Sequence, residues 1–115
     1  MSCKAHEFFD EHKTNSSKVQ KLFPEAQQGF SILFSKVMKD GAISLLEKEL
    51  IVVGIAVTIR CEPCIRLHVR KALAAGATAE QILEAASVAV VMGGGPATTY
   101  LPIVVDTLEA LQGKK

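Results

Sequence analysis

The sequence predicts an all-α fold of about six helices with short connections, on three observations. It contains no run in which apolar and polar residues alternate, the pattern a half-buried strand requires. Apolar residues recur instead at helical spacing, with proline and glycine where such segments would begin and end. Two helix-capping signatures, Ser44 with Glu47 and Thr78 with Gln81, stand just ahead of apolar segments. At 115 residues there is room for one core, so residues 1–115 are expected to form a single domain.

Residues 1–22 are a polar start to which no element is assigned. From Pro24 to Asp40, a proline at a plausible first helical position is followed by Phe30, Leu33, Phe34, Val37 and Met38 at helical spacing. That is one amphipathic helix, stopped by Gly41. The Ser44/Glu47 box predicts a helix from about Leu45 to near Ile59. Its second half is apolar on every side, which places it at the centre of the fold or between subunits. Glu62 to Ala75 forms the next helix, with Pro63 tolerated in its first turn and Gly76 past its end. Thr78 and Gln81 start another, expected to run to about Met92. The sequence GGGP at 93–96 then breaks the chain, and Pro96 opens a last helix toward Leu111 that Pro102 kinks or divides.

Thirteen basic against twelve acidic residues give a formal net charge of +1, so charge supplies no reason to propose nucleic acid or an acidic membrane surface as partner. The longest apolar stretches, Leu50 to Ile59 and Ala85 to Gly95, fall short of the roughly 20 residues of a membrane span. The first dozen residues, MSCKAHEFFDEH, lack the continuous apolar region of a secretory signal, so a cytoplasmic location is expected. Half the chain (49%) is hydrophobic, a high share for a domain this small, and contacts between copies would cover the excess.

The chemistry concentrates in CEPCIRLH, Cys61 to His68. In a helix beginning near Glu62, Cys61 sits at the N-terminal edge, Cys64 in the first turn and His68 one turn later on the face of Cys64. Unpaired N–H groups and the positive end of the helix dipole favour thiolate over thiol there. The spacing lets one sulfur close a sulfenic acid on the other into a disulfide, and His68 can pair with the thiolate or relay a proton. Glu49, twelve residues before Cys61, is the candidate proton acceptor, while the cap accounts for Glu47. Read from residues alone, CxxC with His is a redox centre, a buried structural pair or a metal site. Three soft ligands fall short of the four a closed zinc site takes, and no second CxxC or H-x3-H appears, so no metal or cofactor is expected.

The pattern E-x11-C-x2-C-x3-H, followed by KALAAGATAEQILEA and VVMGGGPA, resembles the AhpD-like alkylhydroperoxidase branch of the carboxymuconolactone decarboxylase family across roughly Leu45 to Leu111. The resemblance implies an all-helical homo-oligomer, trimer or hexamer, that reduces organic hydroperoxides with electrons from a thiol or lipoyl-bearing reductant protein. It implies that Cys64 attacks the peroxide, that Cys61 resolves the sulfenic acid, and that His68 and Glu49 relay protons. A thioredoxin-style reading makes Cys61 the nucleophile instead. Some peroxidase members carry a histidine immediately before the second cysteine; Pro63 stands there, so that proton-transfer group is absent. Runner-up readings are a general thiol-disulfide oxidoreductase, a lactone decarboxylase-like enzyme, whose known examples generally lack the cysteine pair, and a non-enzymatic helical protein whose cysteines bind metal or pack.

Other features have ordinary explanations. Cys3, His6 and His12 lack a fourth ligand and read as incidental. GGGP has neither a preceding strand nor a following Gly-Lys-Ser/Thr, so it reads as a turn that allows close packing. Arg60, Arg66, Arg70 and Lys71 read as a solvated face that could also guide an acidic partner.

Overall fold

The computed structural model describes residues 4–113. Six helices carry most of them: α1 (Lys4–Leu22), α2 (Pro24–Val37), α3 (Leu45–Thr58), α4 (Glu62–Ala74), α5 (Ala79–Thr98) and α6 (Leu101–Gln112). No strand occurs among the described residues. Asp40–Gly41, a dipeptide that often turns hairpins, here links two helices.

Both capping boxes form. Ser44 Oγ accepts from Glu47 N–H at 3.1 Å while Glu47 Oε1 accepts from Ser44 N–H at 3.0 Å. Thr78 and Gln81 exchange the equivalent bonds at 3.0 and 2.9 Å. Each box satisfies two of the donors a helix start leaves unpaired. Asp40 Oδ1 adds a third acceptor at α3, taking Leu45 N–H at 2.7 Å.

Helices α3 to α6 enclose one core. Val53 and Val57 of α3, Ile65 and Val69 of α4, Ile82 of α5 and Val104 of α6 are fully buried. Each such side chain contributes about 1.5–3 kcal/mol through its removal from water. Gly54 permits a close approach of α3 to α5, since a Cβ there would lie 3.3 Å from the Ala85 carbonyl oxygen.

The structure departs from the sequence reading in three places. Residues 4–22, assigned no element, form a 19-residue helix. Helix α2 ends at Val37 rather than Asp40, and its apolar stripe does not enter the core: no residue of α2 is buried, and Phe30, Leu33 and Val37 are 59%, 59% and 53% exposed. The apolar second half of α3 is central on one face, while Ile51, Ile55 and Ile59 on the other are exposed in the single chain, which leaves the reading between subunits open. Finally, GGGP bends a helix instead of ending it. Gly94 takes φ 61 and ψ −145, a conformation open essentially to glycine alone, and α5 resumes through Pro96 to Thr98. Pro96 stands just after the bend, where a missing N–H costs little, so α6 begins at Leu101, with Pro102 in its first turn.

No single helix among the described residues is long and apolar enough to cross a membrane.

Candidate active site

Three residues, Ile59 to Cys61, join α3 to α4, and they fix the first cysteine from both sides. Cys61 N–H donates to Ala56 O at 3.1 Å and Arg60 N–H to Val57 O at 3.1 Å, the paired bonds of a Schellman ending on α3. Arg60 therefore occupies the left-handed position, with φ 59, that glycine usually fills. The same ending closes α4, where Ala77 N–H reaches Ala72 O and the left-handed residue is Gly76, at φ 104. Cys61 is at once the residue past the end of α3 and the N-cap of α4, in extended conformation.

Its sulfur does the capping. Cys64 N–H donates to Cys61 Sγ at 3.3 Å, and the two cysteines are joined as a disulfide with Cα atoms 5.2 Å apart. Both are partly buried, and the intervening Glu62 and Pro63 are exposed, so one side of the pair opens to solvent.

Across from α4, Glu49 of α3 is only 3% exposed. Its Oε1 lies 2.7 Å from His68 Nδ1, bringing together the two residues the sequence selected on separate helices. A buried carboxylate holds Nδ1 as the protonated nitrogen and orients the ring, leaving Nε2 to handle a proton. One turn of α4 separates this imidazole from Cys64.

Two elements of this region were not apparent from the sequence. Phe34 of α2 stacks on His68, with ring centroids 6.0 Å apart and planes 29° from parallel, and Lys71 Nζ lies 4.7 Å from the centroid of the same Phe34 ring. Arg66, read as part of a solvated face, is 1% exposed. Its Nη1 donates to Asp106 Oδ2 at 2.6 Å and Thr107 Oγ1 at 3.0 Å, and its Nε and Nη2 to Glu62 Oε2 at 3.1 and 3.0 Å. The guanidinium thus ties the first turn of α4, which bears the cysteines, to α6. Its fork supplies enough donors to be satisfied inside the protein. One sequence signal separates Arg66 from its exposed neighbour Arg70, whose guanidinium carbon lies 4.4 Å over the ring of Phe9. Arg66 alone has an acidic residue four positions earlier, Glu62.

Of the N-terminal residues, His12 stacks on Phe8 with centroids 5.3 Å apart, and Cys3 lies outside the described residues. Among the described residues no three His, Cys, Asp or Glu side chains group as a metal site.

Comparison with known proteins places this geometry in a lineage. The chain is 31% identical over 106 residues to an uncharacterized protein of Cupriavidus necator, covering 86% of this chain and 94% of the relative. It is 38% identical over 84 residues to uncharacterized protein 4 in the cox locus of Paracoccus denitrificans, covering 73% and 76%. Its fold superposes on a crystal structure of an apo carboxymuconolactone decarboxylase family protein from Legionella pneumophila with TM-score 0.88 and 36% identity, over 95% of this chain and 97% of the other. A family member from Thermotoga maritima, described with a suggested involvement in antioxidative response, superposes with TM-score 0.79 and 30% identity over 93% and 91%. The sequence model of the Carboxymuconolactone decarboxylase family matches residues 24–106, so the likeness begins with α2, well before the Leu45 boundary drawn from motifs. With most of its length matched and every helix of its core shared, this chain belongs to the carboxymuconolactone decarboxylase family.

Proposed function

We propose that the protein is a thiol-dependent peroxidase of the AhpD-like type, reducing organic hydroperoxides through a Cys61/Cys64 dithiol-disulfide cycle. The observation that carries this reading is the disulfide at the solvent-facing tip of α4, one turn from an imidazole anchored on a buried carboxylate. The antioxidative association of the Thermotoga maritima relative supports it.

The cycle balances as follows. The Cys64 thiolate attacks the distal peroxide oxygen; the S–O bond forms, the O–O bond breaks, and the departing alkoxide takes a proton and leaves as alcohol. His68 Nε2, with Nδ1 held by Glu49, is the group placed to move that proton. Cys61 then attacks the sulfur of the Cys64 sulfenic acid, forming the disulfide and releasing water. An external dithiol, from a thiol or lipoyl-type reductant protein, returns two electrons and is itself oxidised to a disulfide.

The two sulfurs divide the labour. Cys61 Sγ accepts an N–H at the helix start, an arrangement that stabilises a waiting thiolate for the resolving step. Cys64 shares a helix face with His68. Pro63 supplies no proton-transfer group, so all of it falls to His68 and Glu49, and exchange of disulfides between proteins is the second reaction this centre supports.

We further propose that the protein works as a homo-oligomer, trimer or hexamer. A groove of about 460 Å³ on α3 and α5 is lined by Leu50, Ile51, Gly54, Ile55, Thr58, Ile59, Ala85, Val88, Ala89 and Met92, and covering it would remove exposed aliphatic surface from water.

Turnover of an alkyl hydroperoxide by the purified protein with a small dithiol tests the activity, with carboxymuconolactone offered in parallel. Dithiol-dependent loss of hydroperoxide with the lactone untouched is the expected result. Consumption of the lactone alone would assign the protein to decarboxylase chemistry.

A further inference from the structure

We propose that Phe34 is a positioning residue for the reaction, acting through His68; this rests on the peroxidase reading above. The residue belongs to an apolar stripe that looks, by spacing, like ordinary core, yet α2 buries none of its residues. Along α2 only Gln27 and Phe34 are partly buried. The ring of Phe34 lies instead against α4, stacked on His68 and approached by Lys71, one helical turn further on. Helix α2 is pinned beside this contact, where Lys48 Nζ of α3 donates to the carbonyl of its last residue, Val37, at 2.8 Å.

The consequence follows from how an imidazole is held. The bond from Nδ1 to Glu49 fixes one atom of the ring, and a ring tied at one atom can still swing about that tie. A flat group on its face resists the swing. Phe34 supplies that group, so that Nε2 keeps one direction both when it takes the proton of the Cys64 thiol, which either reagent requires, and when it gives one to the departing alkoxide. The aromatic ring also covers part of one face of the imidazole, whose carboxylate partner is already buried. Aromatic pairs of this geometry correspond to about a three- to tenfold effect on an equilibrium or rate.

The test is a double-mutant cycle on the reduced full-length protein: wild type, Phe34→Ala, His68→Ala and the double variant, with Phe34→Tyr as the conservative control. Rapid-mixing rates are measured with an alkyl hydroperoxide and separately with iodoacetamide, whose carbon the thiolate attacks with loss of iodide and no peroxide chemistry. Phe34→Ala is expected to slow both reactions about three- to tenfold, and Phe34→Tyr to restore them to within about twofold by returning the ring. In the His68→Ala background, removing Phe34 should change nothing further.

Equal slowing by Phe34→Ala with and without His68 would overturn the inference, as would rates unchanged by Phe34→Ala. The underlying reading fails differently: a wild type that alkylates under His68 control but ignores hydroperoxide is not a peroxidase, and the alkylation cycle still decides the role of Phe34. Unchanged helical circular dichroism separates these effects from unfolding, since α2 contributes nothing to the core.

Discussion

Glu49 Oε1 and His68 Nδ1 lie 2.7 Å apart, joining α3 to α4 through a carboxylate that is 3% exposed. A carboxylate so placed holds the tautomer and direction of the ring. Replacing Glu49 with Gln keeps the shape but weakens that hold, because an amide can also present its NH2 to the ring. Hydroperoxide turnover should fall about 100-fold, at the lower end of what positioned proton transfer contributes. Steady-state kinetics measure the loss, and an unchanged thermal transition assigns it to chemistry.

The Arg66 network makes a prediction about stability. Arg66→Met removes a buried charge whose charged partners reach water on their own, since the side chains of Glu62 and Asp106 are 49% and 32% exposed. They can be rehydrated once the guanidinium has gone, and methionine refills much of the space. The expected cost is about 2 kcal/mol, below the range for stranding a buried charge. Asp106→Ala does the reverse, leaving the guanidinium buried with fewer acceptors, and should cost more, about 3 kcal/mol. Urea unfolding of the two variants checks the order.

Two left-handed residues give a matched pair of substitutions. Arg60 holds φ 59 without being glycine, so Arg60→Gly relieves strain that its added chain entropy only partly offsets; the expected gain is about 0.5–1 kcal/mol. Gly76→Ala imposes the strain at φ 104 and should lose about 1–2 kcal/mol. Thermal unfolding should therefore move in opposite directions for the two.

The α3/α5 groove bears on assembly. Val88 and Met92 are 61% and 85% exposed in the single chain, and a partner that covers them leaves no water for a charge. Sizing in solution should find an oligomer for the native protein and a monomer for Val88→Glu. A native protein that elutes as a monomer would leave the exposed aliphatic surface without this explanation.

Much of this was legible in the sequence because the informative signals are local. Both capping boxes, the Pro63 start and the Gly76 stop concern backbone groups within a few residues, and the structure keeps each. Glu49 and His68 emerged from spacing as a motif, but their contact depends on how α3 and α4 fold back, which the Arg60 turn determines. Helix α1 escaped because it carries no cap signature; the signal present was negative, an absence of glycine and proline from Lys4 to Leu22. Burial of Arg66 and exposure of the α2 stripe are tertiary facts. Periodicity says which face of a helix is apolar and not what covers it.

The central claim is that Cys61 and Cys64 exchange electrons with a hydroperoxide as a pair, and counting thiols tests it most directly. One equivalent of alkyl hydroperoxide added to the fully reduced protein should remove two thiols per chain and yield one alcohol, while Cys64→Ser consumes none. Thiols that survive the oxidant intact, or a Cys64→Ser protein that consumes it as fast as the native chain, would contradict the account.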